Sequence, residues 1–280
     1  DFFRSFEPEE LLPEMDRLGI ERAIVTMSVD RPSEHALRFV DKAPERFSLG
    51  LGVDPGRMMK GLWEMEAIAR NHPTVCAKVV PFSTDVPPSD ATYYPLYTKC
   101  VELDLPLTIN TGLPGPPVAG ECQNPIHLDR ICVRFPELKL CMAHGADPWW
   151  GVATRLMIKY KNLYLMTSAY APKHFPPELI HFMNTRGKDK VIFASDHPAL
   201  DWERCVNEAR ALDLRGGLSS RARAACVSML YDGFDAVGLQ YGPGYRTLIN
   251  AWGGASDALA RLRARAAHEG TPPHPAALDD

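Results

Sequence analysis

Two stretches of the chain end an apolar run in residues that carry chemistry. Residues 138–150 (LKLCMAHGADPWW) deliver His144, and residues 189–200 (DKVIFASDHPAL) deliver Asp196. In each, β-forming residues give way to polar ones and then to a proline, which cannot continue a hydrogen-bonded ladder. A buried parallel strand has this build, and α/β sheets keep their chemistry at the carboxyl ends of such strands. An imidazole and a carboxylate at the tops of two strands suit a metal centre or an acid–base pair.

Each of these residues also has a plainer role. Asp196 would cap the helix near Trp202 or brace the turn at Pro198, and His144 would bond the loop after the sixth strand. His197 reads as a turn residue. His127 and His181 fall inside helical patterns and read as surface or packing residues. His174, in the loop APKHFP, lies on the same face as His144. Lys78 sits inside a strand, where its side chain either meets a carboxylate of the chain or serves binding. Trp149 and Trp150 open the helix after His144, either packing on the loop at 113–123 or offering a flat wall to a planar substrate. No G-x-S-x-G elbow supports nucleophilic serine chemistry, and no G-x-G-x-x-G supports dinucleotide binding.

The elements that must position these residues alternate almost throughout. Strands are expected at 22–28, 47–54, 75–82, 107–112, 138–143, 163–168 and 191–194. Helices are expected at 8–18, at 33–42 with Ser33 as cap, at 57–70 with Met58, Leu62, Met65 and Ile68 inward, and at 94–103. Further helices start at the caps Asn124 and Asp147 and cover 177–185 and 202–212. Strand centres lie about 25–33 residues apart, the length of one βα unit, which favours a (β/α)8 TIM barrel over a doubly wound sheet. Seven strands are one short of that barrel, and the chain opens on a helix-entry segment. The barrel is therefore assigned to residues 1–214. Residues 215–252 read as an irregular or helical extension, and 253–280 as a disordered tail with one frayed helix at 256–268.

Composition narrows the function classes. A chain of 280 residues with 45% hydrophobic and 24% charged residues is long enough for a substantial core. A net charge of −4 offers no basic stripe for nucleic acid or an anionic membrane. No apolar run reaches the ~20 residues of a membrane span, and residues 1–10 do not read as a signal peptide. The remaining partner is a small-molecule substrate, with a homo-oligomer left open. Seven cysteines without a C-x-x-C pair read as core residues in a reducing cytoplasm, only Cys122 being expected at the surface.

Three motifs carry a resemblance. INTGLPG after the fourth strand, MAHGADPWW after the fifth and VIFASDHP after the seventh resemble the amidohydrolase-related (amidohydrolase 2) family. The nearest branch is that of aminocarboxymuconate-semialdehyde decarboxylase and related carboxy-lyases, and the resemblance spans about residues 8–212. It implies a barrel that binds a divalent metal, usually zinc. In that family the ligands and catalytic groups are an H-x-H pair on the first barrel strand, histidines after the fifth and sixth, and an aspartate after the eighth. His144 matches the sixth-strand histidine and Asp196 the eighth-strand aspartate. Asn110 stands where the family usually has histidine, and its carboxamide is a weak zinc ligand. The H-x-H strand has no counterpart, so the seven strands correspond to barrel strands two to eight. The resemblance implies a metal-dependent hydrolase or carboxy-lyase (decarboxylase) for a small carboxylated or cyclic substrate. His144 and Asp196 would be catalytic and, with Asn110, metal-binding; Trp149, Trp150 and His174 would face the substrate. The alternative is a non-catalytic barrel that binds a ligand or partner without turnover.

Overall fold

Pro8 opens the first helix, where its missing N–H costs nothing. Helix α1 (Pro8–Leu18) buries Leu11, Met15 and Leu18 along one stripe and ends at Gly19, whose φ of 70° is left-handed. The computed structural model describes residues 5–214 and, as strands, residues 224–225, 248–253 and 258–262. After α1 come strand β1 (Ala23–Ser28), helix α2 (Glu34–Lys42), strand β2 (Phe47–Gly52), helix α3 (Met58–Asn71), strand β3 (Thr74–Val79) and helix α4 (Tyr94–Glu102). Strand β4 (Leu107–Asn110), helix α5 (His127–Arg134), strand β5 (Leu140–Ala143) and helix α6 (Trp150–Lys159) follow. Strand β6 (Leu163–Met166), helix α7 (Pro177–Met183), strand β7 (Val191–Ile192) and helix α8 (Trp202–Arg210) complete the alternation.

The seven strands form one sheet in sequence order, every neighbouring pair parallel. This is a (β/α) barrel of the TIM type with one strand fewer than eight. Side-chain alternation divides it into two environments. Leu49, Leu51, Ala77, Val79, Leu107, Ile109, Leu140, Met142, Leu163 and Leu165 join the buried cluster under the helices, with Leu62, Met65, Leu96, Ile131 and Leu156. Each fully buried Leu or Ile there contributes about 1.5–3 kcal/mol. The opposite face of the strands lines the lumen. A Cβ placed on Gly50 would lie 3.0 Å from Ile24, 3.2 Å from the Cys76 sulfur and 3.4 Å from Thr26. Side chains from the strands on both sides thus crowd onto one glycine, which explains its size.

Within residues 8–212 the expected elements are all present, most trimmed by a few residues. Ser33 caps α2 by accepting from the Ala36 N–H, as expected. Four local expectations fail. Asn124 does not cap α5, whose N-cap is Ile126; its carboxamide accepts the Ile126 N–H at 3.0 Å in the turn before the helix. Met58 is 50% exposed, because α3 starts only there and its first turn lies off the core stripe. Cys122 is buried, held in a short turn tied to Gly112 through Gln123. Asp147 does not cap α6; its carboxylate instead accepts the Trp150 indole N–H at 3.1 Å. The chain divides into two compact units, residues 1–212 and 213–280. In the second, β8 (Ala224–Ala225), β9 (Leu248–Gly253) and β10 (Ala258–Leu262) form an antiparallel sheet in the order β10-β9-β8. Backbone pairing therefore puts a strand inside the span read as a helix at 256–268; the rest of that span lies outside the described residues.

The outer layer closes on itself where the sheet does not. Arg17 of α1 pairs with Glu203 of α8 at 2.6 Å, Arg210 donates to the Leu18 carbonyl at 2.9 Å, and the Phe6 and His197 rings lie 5.0 Å apart. Strands β1 and β7 are paired only on one side each among the described residues. Their apolar residues are correspondingly open: Ile24 is 46% exposed and Ile192 44%, whereas β2 and β4 are buried almost throughout. Unpaired parallel edges with β-branched residues template association with another chain. The chain of residues 1–280 is accordingly expected to self-associate, and Ile24→Lys or Ile192→Lys to reduce that association. Light scattering after size exclusion checks this; a monodisperse monomer of the unsubstituted chain would contradict it.

Candidate active site

Strands β5, β6 and β7 are each followed within four residues by one in left-handed backbone: His144 at φ 63°, Ala169 at 66° and Asp196 at 70°. Non-glycine residues pay for this conformation and concentrate where function requires it. The turns are fixed by bonds to the next strand. The His144 N–H donates to Ser168 Oγ at 3.0 Å, the Gly145 N–H to the Met166 carbonyl at 3.1 Å, and the Ala169 N–H to the Ser195 carbonyl at 3.3 Å. On the other side, Thr111 Oγ1 donates to the Gly145 carbonyl at 2.6 Å and the Leu113 N–H to the Asp147 carbonyl at 2.8 Å. The carboxyl ends of four adjacent strands are thereby stitched into one rim.

On that rim His144 and Asp196 meet. Nδ1 of His144 lies 3.8 Å from Oδ2 of Asp196, with the imidazole largely buried and the carboxylate 41% exposed. The separation exceeds a hydrogen bond. Nδ1 has no hydrogen-bond partner, although it is buried. Burial above all, then the positive charge of Lys78, hold the imidazole below the ordinary histidine range, while Asp196 pulls the other way. Burial therefore favours the neutral ring, in which one of the two nitrogens keeps a lone pair. Asn110, which pairs in register with Ala143 beside His144, is 6% exposed, and its Oδ1 is buried without a partner. Two orphaned polar atoms on adjacent strand ends signal a missing partner, since such groups are costly to leave unpaired.

The fit to a divalent ion is partial. The nitrogen of His144 and the oxygen of Asp196 are good donors, and 3.8 Å is close to the about 3.4 Å separating two ligands of a tetrahedral ion. The carboxamide of Asn110 is a weaker third. Among the described residues no group of three or more His, Cys, Asp and Glu suited to a metal exists. These residues would supply at most one flank of a metal site, and a tightly held ion needs donors beyond them.

The other candidates are placed as follows. Trp150 is buried, its ring edge-on to Tyr170 at 5.4 Å, so it braces the His144 loop. Trp149 is half-exposed at the start of α6, and His174 is exposed on the turn after β6. Asp201, not Asp196, caps α8 by accepting the Arg204 N–H at 2.9 Å, which removes the capping role for Asp196. His197 stacks on Trp202 at 4.5 Å, as a structural residue of the turn. Sequence reading overlooked Ser168 and Gly145, although a glycine directly after the site histidine was a signal for positive φ. Gly145 has φ 65°, and a Cβ there would lie 2.5 Å from the Trp150 ring. Gly145→Ala is expected to cost about 2–4 kcal/mol through strain and overpacking, read as a lower midpoint in denaturant unfolding.

Comparison with known proteins agrees with this fold. Residues 3–227 match the amidohydrolase family Amidohydro_2. No curated protein matches the sequence. Among solved structures, an uncharacterised TIM-barrel protein from Bordetella bronchiseptica is similar at TM-score 0.64 and 22% identity, over 74% of this chain and 76% of that one. The 5-carboxyvanillate decarboxylase from Sphingomonas paucimobilis is similar at TM-score 0.56 and 18% identity, over 74% and 77%. A dihydroxybenzoic acid decarboxylase from Polaromonas sp. JS666, solved with bound manganese and 2-nitroresorcinol, is similar at TM-score 0.56 and 19% identity, over 76% and 82%. At these identities the structures speak for the fold, and the family match over most of the chain decides its membership. The chain belongs to the amidohydrolase family.

Proposed function

We propose that this protein is a carboxy-lyase that decarboxylates a small unsaturated or aromatic carboxylic acid with the help of a divalent metal. The observation that carries this reading is the His144–Asp196 pair at 3.8 Å, with the orphaned Nδ1 of His144 and Oδ1 of Asn110 beside it. The likeness to decarboxylase structures supports the choice of reaction over hydrolysis.

The chemistry asks for little machinery. A proton is added to the carbon bearing the carboxylate, the bond to that carboxylate breaks, its electron pair stays on the carbon, and CO2 leaves. Asp196, partly open to solvent, would exchange that proton. His144, kept neutral by burial, would present Nδ1 to the metal. A bound divalent ion would supply electrostatic stabilisation for the substrate's negative charge. His144 and Asp196 would hold it with Asn110. Trp149 and His174, at the same end of the barrel, would border the substrate. With two oxygen donors and one nitrogen described, manganese suits the site as well as zinc. The free cysteines at 76, 100, 122, 132, 141 and 205, all buried, suit the reducing cytoplasm. Among the described residues no helix is long and apolar enough to cross a membrane.

One observation favours a second reading. The described residues hold only two strong metal donors, which a non-catalytic barrel would tolerate. The protein, expressed with whatever residues precede Asp1 in its gene, is to be incubated with manganese or zinc and two substrate panels. One contains unsaturated and aromatic acids, the other lactones and amides. CO2 release from the acids alone, lost in His144→Ala and Asp196→Ala by at least about a hundredfold, is the expected result. Turnover confined to lactones and amides would make it a hydrolase, and no turnover would favour the non-catalytic barrel. Elemental analysis gives a separate check. Asn110→His is expected to raise bound metal, because imidazole is the better ligand, and Asp196→Ala to lower it.

A further inference from the structure

Lys78 occupies an unusual place. It lies near the end of β3, paired in register with Gly52 on one side and Thr108 on the other. Its strand neighbours Ala77 and Val79 are buried under the helices, so Lys78 and Cys76 share the lumen face. Cys76 confirms the direction, since its sulfur stands 3.2 Å from where a Cβ of Gly50 would sit. One register step further round, Thr108 opposes Cys141; one layer higher, Asn110 opposes Ala143, the residue before His144. The lumen beneath the site is therefore lined by Cys76, Thr108 and Cys141, each 5–6% exposed, with the half-buried Lys78 among them.

Asp196, across from His144, is the acidic side chain on the rim above this lysine, and it forms no ion pair with Lys78. No carboxylate of the described residues lies within 4.0 Å of its ammonium, whereas Lys42, Lys99, Lys139 and Lys159 each have such a partner. No hydrogen bond of its side chain is present among the described residues either. The charge is nonetheless felt in the lumen, at Cys76 and at His144. A half-buried ammonium without a counter-ion gains when an anion joins it in place of water. Among the described residues no carboxylate pairs with it within 4.0 Å.

We propose that Lys78 receives the carboxylate of the bound substrate inside the barrel, fixing an anionic ligand beneath the His144–Asp196 rim. This rests on the reading of the protein as an enzyme for carboxylic acids, and it assigns the residue that selects acids over neutral analogues. A compact ammonium with three donors on a flexible stem suits one carboxylate oxygen pair in a narrow lumen.

The test is a binding measurement that needs neither metal nor turnover. Benzoate and benzamide, near-isosteric and differing in charge, are titrated calorimetrically into the protein in the presence of a chelator. The expected result is at least about a tenfold preference for benzoate, the size of one charge-assisted hydrogen bond. Lys78→Met should erase that preference and Lys78→Arg should keep most of it. Lys78→Gln is a second neutral variant should Lys78→Met fail to fold by circular dichroism. An unchanged preference in the neutral variants, or none in the original protein, would overturn the assignment. Because no reaction is read, a protein that prefers benzoate through Lys78 yet releases no CO2 would overturn the catalytic reading alone.

Discussion

The pleat of a parallel strand governs this molecule. Successive side chains point to opposite faces, so every strand of the sheet serves two masters. Leu107 and Ile109 are fully buried against the helices, while Thr108 and Asn110 between and after them face the lumen. The outward set is almost wholly aliphatic and provides the stability. The inward set carries small and polar residues, which cost stability but leave room for chemistry. A one-residue slip in any strand would exchange the two sets, and this pins the register wherever helices cover the sheet.

The same pleat explains how chemistry gathers at one end. All strands run in one direction, so their last residues share a rim. The left-handed residues His144, Ala169 and Asp196 stop each ladder abruptly and turn the following residues over the rim. Ser168 and Thr111 satisfy the backbone groups that these turns expose. The site is preorganised by main-chain bonds across strands, and its two principal side chains are left without hydrogen-bond obligations of their own. That leaves the lone pairs of His144 and Asn110 free for a ligand. Closure of the ring is handled differently. Ion pairs and ring contacts join α1 to α8, while β1 and β7 keep an unpaired edge each among the described residues.

Sequence alone determined the alternation of strands and helices, because apolar runs of four to six residues between turn signals have few other solutions. It also located His144 and Asp196 at strand ends, since a polar residue and a proline after such a run can only be the end of a ladder. Ser33 and Gly19 announced their caps by residue type, each doing locally what it does in any chain. Three things needed the tertiary structure. Asp147 looks like a cap in one dimension but is captured by the Trp150 indole, and the cap of α8 falls to Asp201. Cys122 looks exposed in a glycine- and proline-rich loop but is buried because Gln123 ties that loop to Gly112. The 3.8 Å approach of His144 to Asp196 and the solitary charge of Lys78 depend on strands 50 to 120 residues apart being brought to one lumen. Local propensity ends where the chain turns; which side chains then face one another is decided by the sheet that gathers them.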